Sequence, residues 1–424
     1  MGAVDTVMVS SVGEFAVSGV NIIDNINNLF IIAFTALSTG GAVVCSQYIG
    51  RQDSSNANIA AKQLVYLVTL VSLVIGLVAI LFRGPVIRII YGRLDDDVMN
   101  ASMIYFLLTA LSYPLLAIYN ACAALFRSEG NSKVPMRIAL LVNTLNICGN
   151  AIFIYIFHLG VAGAALSTVI CRLAAAVILL TMLVKNRRNY VSLSGIMKVK
   201  LIPAMDKRIL NVGVPTGLEN SMFQFGRLLT QRIFPMFGTS VIAANAITSV
   251  INSFSFMTGN AYSMALITVV GQCMGAGDSE SARKLTVKVL KAAWISVFII
   301  NCIVFSTRKY LIEFFSLSPE AQFVAARFIA IHSISMAIGW TLSFALPSAL
   351  RAAGDARYVM VVGTVSMWTV RVSAAYILTF ALGLGPYGVW FAMGADFVVR
   401  GTSFLVRWRR GKWQKMQVID SPAG

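Results

Sequence analysis

The chain has 424 residues, 58% of them hydrophobic and 12% charged, with a formal net charge of +17. Ordinary soluble proteins are about 45–50% apolar and about 25% charged, so one water-facing globule is excluded and a membrane protein is indicated. The Lys and Arg residues fall mainly between apolar stretches and no nucleic-acid-binding module accompanies them, so nucleic acid is not an expected partner.

Crossing about 30 Å of hydrocarbon takes about 20 apolar residues. Eleven stretches qualify, near 16–46, 59–82, 101–126, 135–157, 161–184, 209–234, 241–270, 285–306, 321–350, 358–382 and 387–407, with a stub at 1–12. They predict an all-α membrane protein of about 12 transmembrane helices. Basic residues mark alternate loops: Arg51 and Lys62; Arg127, Lys133 and Arg137; Lys185 to Arg208; Arg283 to Lys291; Arg351 and Arg357; and the tail from Arg407 to Lys415. The positive-inside rule places these in the cytoplasm. The loops at 83–93 and 308–309 also carry basic residues, and are read as outer loops.

The six cysteines show no paired spacing, so neither a disulfide framework nor a zinc site is expected. No cleavable signal peptide is recognisable.

Shifting the chain by 225 residues lays "CSQYIGRQDS" (45–54) on "VGQCMGAGDS" (270–279), matching Gln47 with Gln272, Gly50 with Gly275 and Asp53-Ser54 with Asp278-Ser279. The chain therefore reads as two copies of a six-span unit. An even number of spans makes them parallel repeats entering from the same side. The expected organisation is an N-terminal lobe at 1–184, a cytoplasmic linker lying on the surface at 185–208, a C-terminal lobe at 209–408 and a basic tail at 409–424. In this register Asp5 falls on Thr230, which has about twenty helical residues before it where Asp5 has four, so the first helix is expected to be truncated by a fragmentary or mis-assigned start.

Polar residues inside these spans are the candidate functional groups. Asp5 lies among apolar residues, where a charge costs about 2.5–3.5 kcal/mol on insertion scales, so it is a functional hypothesis by default. Asn143, Asn146 and Asn150 share one helix face, either as a cation site or as amides joining helices. Asn21, Asp24, Asn25 and Asn28 fall within roughly 100° of arc. The corresponding stripe in copy two is Asn245, Thr248, Ser249, Asn252 and Ser255. Each stripe either lines a water-filled cleft or forms a polar seam. Glu219 has Arg227 two turns along its helix, so neutralisation by that arginine and a coupling role are both open. Arg371 and Asp396 are expected as a structural charge pair. No catalytic residues and no metal site are expected, because only His158 and His332 exist and HExxH, GxSxG and Walker motifs are absent.

The segments "VDTVMVSSVGEFAVSGV", "STGGAVVCSQYIGR", "LFRSEGNSKVP", "NICGNAIFIYIFHLGVAGAALSTVI", "VGVPTGLENSMF" and "GQCMGAGD" together resemble the multidrug and toxic compound extrusion (MATE) family of the MOP flippase superfamily. The resemblance implies two six-helix lobes around a central cleft, and cation-driven antiport. It assigns cation or proton coupling to Asp5, and in the pattern of the archaeal branch to Asn146, Asn150 and Thr168. Asn150 stands where that pattern has a second acid, which weakens a sodium site. Another branch places an acid on helix seven, here Glu219, and an Asp on helix ten, here replaced by Trp340.

The resulting expectation is a secondary antiporter of the bacterial or archaeal plasma membrane, driven by a proton or sodium gradient without a cofactor. It would export small organic, amphipathic or cationic compounds, and act as a monomer. A lipid-linked or polysaccharide flippase is the alternative, disfavoured because the two polar stripes contain no basic residue for a pyrophosphate. A membrane enzyme or a channel is less favoured.

Overall fold

The computed structural model describes residues 2–185, 190–196, 201–315, 317–416 and 418–419, and of residues 2–4 and 6 the backbone alone. It divides into two compact units, Met1–Cys45 with Asp53–Gly213, and Ser46–Gln52 with Val214–Gly424.

The first unit is built from α1 (Gly2–Val9), α2 (Glu14–Gly50), α3 (Ser54–Leu81), α4 (Arg83–Tyr91), α5 (Asp96–Leu111), α6 (Tyr113–Ser128), α7 (Lys133–Asn150) and α8 (Gly160–Lys185). The chain passes into the second unit along α9 (Pro203–Gln231), followed by α10 (Thr239–Gly275), α11 (Ser279–Glu313), α12 (Pro319–Ser335), α13 (Leu346–Ala352), α14 (Ala356–Ser366), α15 (Ser373–Tyr376) and α16 (Tyr387–Arg409). Among the described residues there is no strand, and nine helical segments are long and apolar enough to cross a membrane, with the bent pair α5–α6 as a tenth. The eleventh expected span is α9, which carries Asp206, Lys207, Arg208, Glu219 and Arg227.

The surface shows what these helices face. On α3, Leu70, Leu73, Val74, Leu77, Val78 and Leu81 are each about half exposed or more. An apolar stripe at that helical spacing suits lipid and would be a large water-exposed patch in a soluble protein.

Two features refine the sequence reading. The span at 101–126 is two helices meeting at 46°, because Pro114, in the first turn of α6, has no N–H to continue the ladder from α5. The segment at 83–93, expected as an outer loop, contains a helix, α4, with Ile87 buried. Of the linker, residues 190–196 are tied to the first unit: Val191 N–H donates to Glu129 Oε1 (2.6 Å), Ser192 N–H to Asn58 Oδ1 (2.5 Å), and the Tyr66 hydroxyl to the Ile196 carbonyl. Val191 and Leu193 are fully buried, which an extended segment achieves by tucking alternate residues inward.

The repeated motif has the same local role in both copies. Asp53 caps α3 by accepting from Asn56 N–H (2.9 Å), and Asp278 caps α11 by accepting from Ser281 N–H (2.8 Å). In the second unit a Cβ on Gly50 would strike the Gln272 backbone, and one on Gly275 would strike the Gln47 backbone. The two matched glycines therefore permit backbone-to-backbone packing that any side chain would block.

Four stretches widen to π-type turns, at residues 151–156, 336–345, 367–372 and 377–381. Such turns rotate the side chains that follow and concentrate at functional sites. Arg371 lies in the third of them.

Candidate functional site

In the first unit α1 packs against α7 and α8, and Asp5 points into that junction with 1% of its surface exposed. Asn150 Nδ2 donates to Asp5 Oδ1 (2.6 Å) and the Thr168 hydroxyl donates to Asp5 Oδ2 (3.1 Å). Asn146 Nδ2 contacts Thr168 Oγ1 (3.3 Å) and Ser167 Oγ (3.4 Å). Asp5, Asn146, Asn150 and Thr168 thus form one connected cluster, drawn from three helices.

The side-chain oxygens Asn146 Oδ1 and Asn150 Oδ1 are buried without a donor. A buried acceptor left unpaired is costly, and one carboxylate, two amide oxygens and a hydroxyl are the donor types that hold a hard cation or a water. Asn143, on the same helix, instead lines a cavity.

That cavity, of about 560 Å³, is lined by all four residues of the first stripe, Asn21, Asp24, Asn25 and Asn28. Asn27 also lines it and accepts from the Tyr113 hydroxyl (2.7 Å), while the Tyr105 hydroxyl lies 3.4 Å from Asp24 Oδ1. Arg172 is the residue that the sequence reading missed. It lines the same cavity and donates to Ser112 Oγ (2.7 Å), beside the α5–α6 break. Its signal was a lone arginine in the apolar run "STVICRLAAAV", which by itself merits functional attention.

The second unit arranges its charges differently. Glu219 is not neutralised by Arg227. Its carboxylate is held by Arg351 (Nη2 to Oε2, 2.6 Å) and Arg400 (Nη2 to Oε1, 3.2 Å). Arg227 lines a cavity instead. Arg371 Nη1 stands 4.0 Å from Asp396 Oδ2, and Ser366 donates to Asp396 Oδ1 (2.6 Å). Trp340 is fully buried, stacked on Phe344 and seated against Gly259.

The second cavity, of about 550 Å³, is lined by Asn245, Ser249 and Asn252 of the second stripe. Thr248 and Ser255 are buried elsewhere, contacting the Ala244 carbonyl (2.7 Å) and Asn301 Oδ1 (3.4 Å), because a five-residue stripe is wider than one cavity wall. Thr230, which falls on Asp5 in the repeat, lines this cavity.

A two-copy helical membrane protein with a polar cavity in each unit and a buried acid on its first helix is a transporter in architecture. The MatE family model matches residues 1–152 and 215–377, a segment in each copy. The chain belongs to the MatE family, whose members are transporters and not enzymes.

Curated relatives match along almost the whole chain. The uncharacterized transporter YisQ of Bacillus subtilis is 27% identical over 97% of this chain and 90% of its own length. The probable multidrug resistance protein NorM of Thermotoga maritima is 27% identical over 99% and 90%. Among solved structures, a MATE protein in a bent conformation superposes with a TM-score of 0.90 at 18% identity, covering 98% of this chain and 92% of the other. The Vibrio cholerae MATE transporter VcmN gives a TM-score of 0.88 at 18% identity, covering 97% and 93%. These structures establish the shared fold.

Proposed function

We propose that this protein is a cation-coupled secondary antiporter that exports small organic, amphipathic compounds across a plasma membrane by alternating access. The observation that carries the reading is the buried cluster of Asp5, Asn150, Asn146 and Thr168, with two amide oxygens left without a donor. Asp5 is the one acid in this cluster, so protonating it or placing a cation beside it changes the hydrogen bonds that fasten α1 to α7 and α8. Only a ligand with different affinities for two conformations can shift them, and this cluster offers that difference. Relatives named as probable multidrug resistance proteins support export as the direction of transport. The basic loops favour both lobes entering from the cytoplasmic side, and the cluster is complete within one chain, which favours a monomer as the working unit.

The test is uptake of a fluorescent amphipathic dye into inside-out vesicles under separately imposed proton and sodium gradients. One of the gradients should drive uptake, and Asp5→Asn should abolish it while the protein still inserts. Unchanged uptake by that variant would refute the coupling role.

One observation favours a second reading, the lipid-linked flippase. The two polar stripes hold no basic residue, but the cavities they line contain Arg172 in the first unit and Arg227 and Arg371 in the second. Stimulation of transport by a pyrophosphate-linked lipid in proteoliposomes would select it.

A further inference from the structure

The two cavities are of similar size and differ in charge. Asp24 and Arg172 both line the first, whereas the second is lined by Arg227 and Arg371 and by no carboxylate. The buried acids of the second unit are already engaged: Glu219 by two other arginines, Asp355 by Arg407, and Asp396 by Ser366 with Arg371 at 4.0 Å. Among the described residues Arg227 has no acid partner, and it lines the cavity beside Arg371.

The lining also holds polar atoms that nothing in the fold satisfies. Arg371 Nε, both ring nitrogens of His332, the indole N–H of Trp390 and both amide atoms of Asn252 have no hydrogen-bond partner. All four residues are more than nine-tenths buried and all four line the cavity. Arg371 Nε–H, the Trp390 indole N–H, the Asn252 amide N–H and one imidazole N–H are donors, expensive to leave unpaired unless a ligand accepts from them, while Asn252 Oδ1 and the other imidazole nitrogen are acceptors.

The aromatic walls set the ligand's shape. His332 and Trp390 meet edge to face at 5.4 Å, Phe256 packs 6.0 Å from His332, and Phe223 carries Arg371 over its ring at 5.2 Å. Aromatic faces around a guanidinium donor suit a flat apolar body ending in an acceptor-only group. A volume of about 550 Å³ is that of a small-molecule pocket.

We propose that the cavity of the second unit is a binding site for a small aromatic organic anion, such as an aromatic carboxylate, with Arg227 and Arg371 receiving the anionic group and His332, Trp390 and Phe256 enclosing the ring. The proposal rests on the export reading for its physiological meaning, and assigns that reading a substrate class more specific than the amphipathic or cationic compounds expected from the sequence.

The test is isothermal titration of the purified protein in lipid nanodiscs with three probes of one shape: 2-naphthoate, 2-naphthylmethanol and 2-naphthylmethylammonium. Naphthoate should bind at least about tenfold more tightly than either of the others. Arg227→Gln, on an arginine with no ion pair among the described residues, should weaken naphthoate alone by about ten- to hundredfold, and Arg227→Lys should recover part of it. If Arg227→Gln does not yield folded protein, salt provides the second measurement, since raising ionic strength should weaken naphthoate and leave the alcohol unchanged. Equal affinity for the three probes, or preference for the ammonium, would overturn the anion site. Binding is read without a gradient, so gradient-driven dye export alongside indifferent binding would sink this site alone, and anion binding without coupled export would sink the coupling reading alone.

Discussion

Asn150 donates its side-chain amide to Asp5 across 2.6 Å, and this bond ties the eight-residue α1 to α7. Thr168 from α8 holds the other carboxylate oxygen at 3.1 Å. The acid is therefore held between two neutral donors, with no cationic side chain bonded to it among the described residues. Such a site can accept or release a cation without first breaking an ion pair.

Asn150→Ala should remove a hydrogen bond to a charged or chargeable group and lower stability by about 1.5–3 kcal/mol, read as a fall in the thermal unfolding midpoint in detergent. Asn150→Asp should do something different. Two carboxylates sharing one buried site repel unless a cation or a proton sits between them. Sodium chloride should therefore raise the unfolding midpoint of Asn150→Asp more than choline chloride does, with a smaller difference in the parent. Equal responses of the variant to the two salts would show that the cluster is not a cation site.

Glu219→Gln tests a structural role for the second unit's buried acid. The substitution leaves Arg351 and Arg400 facing each other without a carboxylate, and removing one partner of a buried ion pair costs about 3–5 kcal/mol. A large fall in the unfolding midpoint is expected. A variant of parent stability that has lost export would instead place Glu219 in coupling.

The first stripe was legible because it obeys a local rule, whereas Asp5 was grouped with Asn146, Asn150 and Thr168 only through the family resemblance, since its partners Asn150 and Thr168 lie 145 and 163 residues away. Asn21, Asp24, Asn25 and Asn28 share a face by helical periodicity alone, and they line one cavity. The partners of Glu219 were not legible, because Arg351 and Arg400 lie 132 and 181 residues away, while Arg227 was the near arginine on the same helix. Pairing across helices depends on rotation and tilt, which composition does not encode. The break at Ser112 falls between, since a proline at 114 disfavours a continuous helix while the two-helix outcome needed the observed angle.

Gly50 and Gly275 should tolerate no side chain. Each Cβ would enter a backbone group of the matched segment, so neither neighbour can move aside by rotating a side chain. Gly50→Ala and Gly275→Ala should each cost at least about 1–3 kcal/mol and reduce the yield of monodisperse protein on size exclusion. Gly84→Ala is the contrast. A Cβ there meets only the end of Met103 at 3.9 Å within α4, so relief of backbone entropy should leave stability equal or higher by about 0.5–1 kcal/mol. Equal losses at all three positions would show that close backbone approach is not what the two matched glycines provide.

Arg172 and Asp24 are the basic and the acidic side chain in the lining of one cavity. The arginine also donates to Ser112 beside the α5–α6 break, so its loss affects both the cavity and the bend. Arg172→Gln leaves Asp24 without its countercharge in the lining, and Asp24→Asn leaves the arginine without its acid. If the two charges stabilise each other, the double variant should lose less than the sum of the single losses, with a coupling of about 0.5–3 kcal/mol in a double-mutant cycle on thermal unfolding. Additive losses would mean that Arg172 acts through Ser112 and the helix break alone. In that case Ser112→Ala should reproduce the effect of Arg172→Gln, and Asp24 would be left free to meet substrate rather than to balance the arginine.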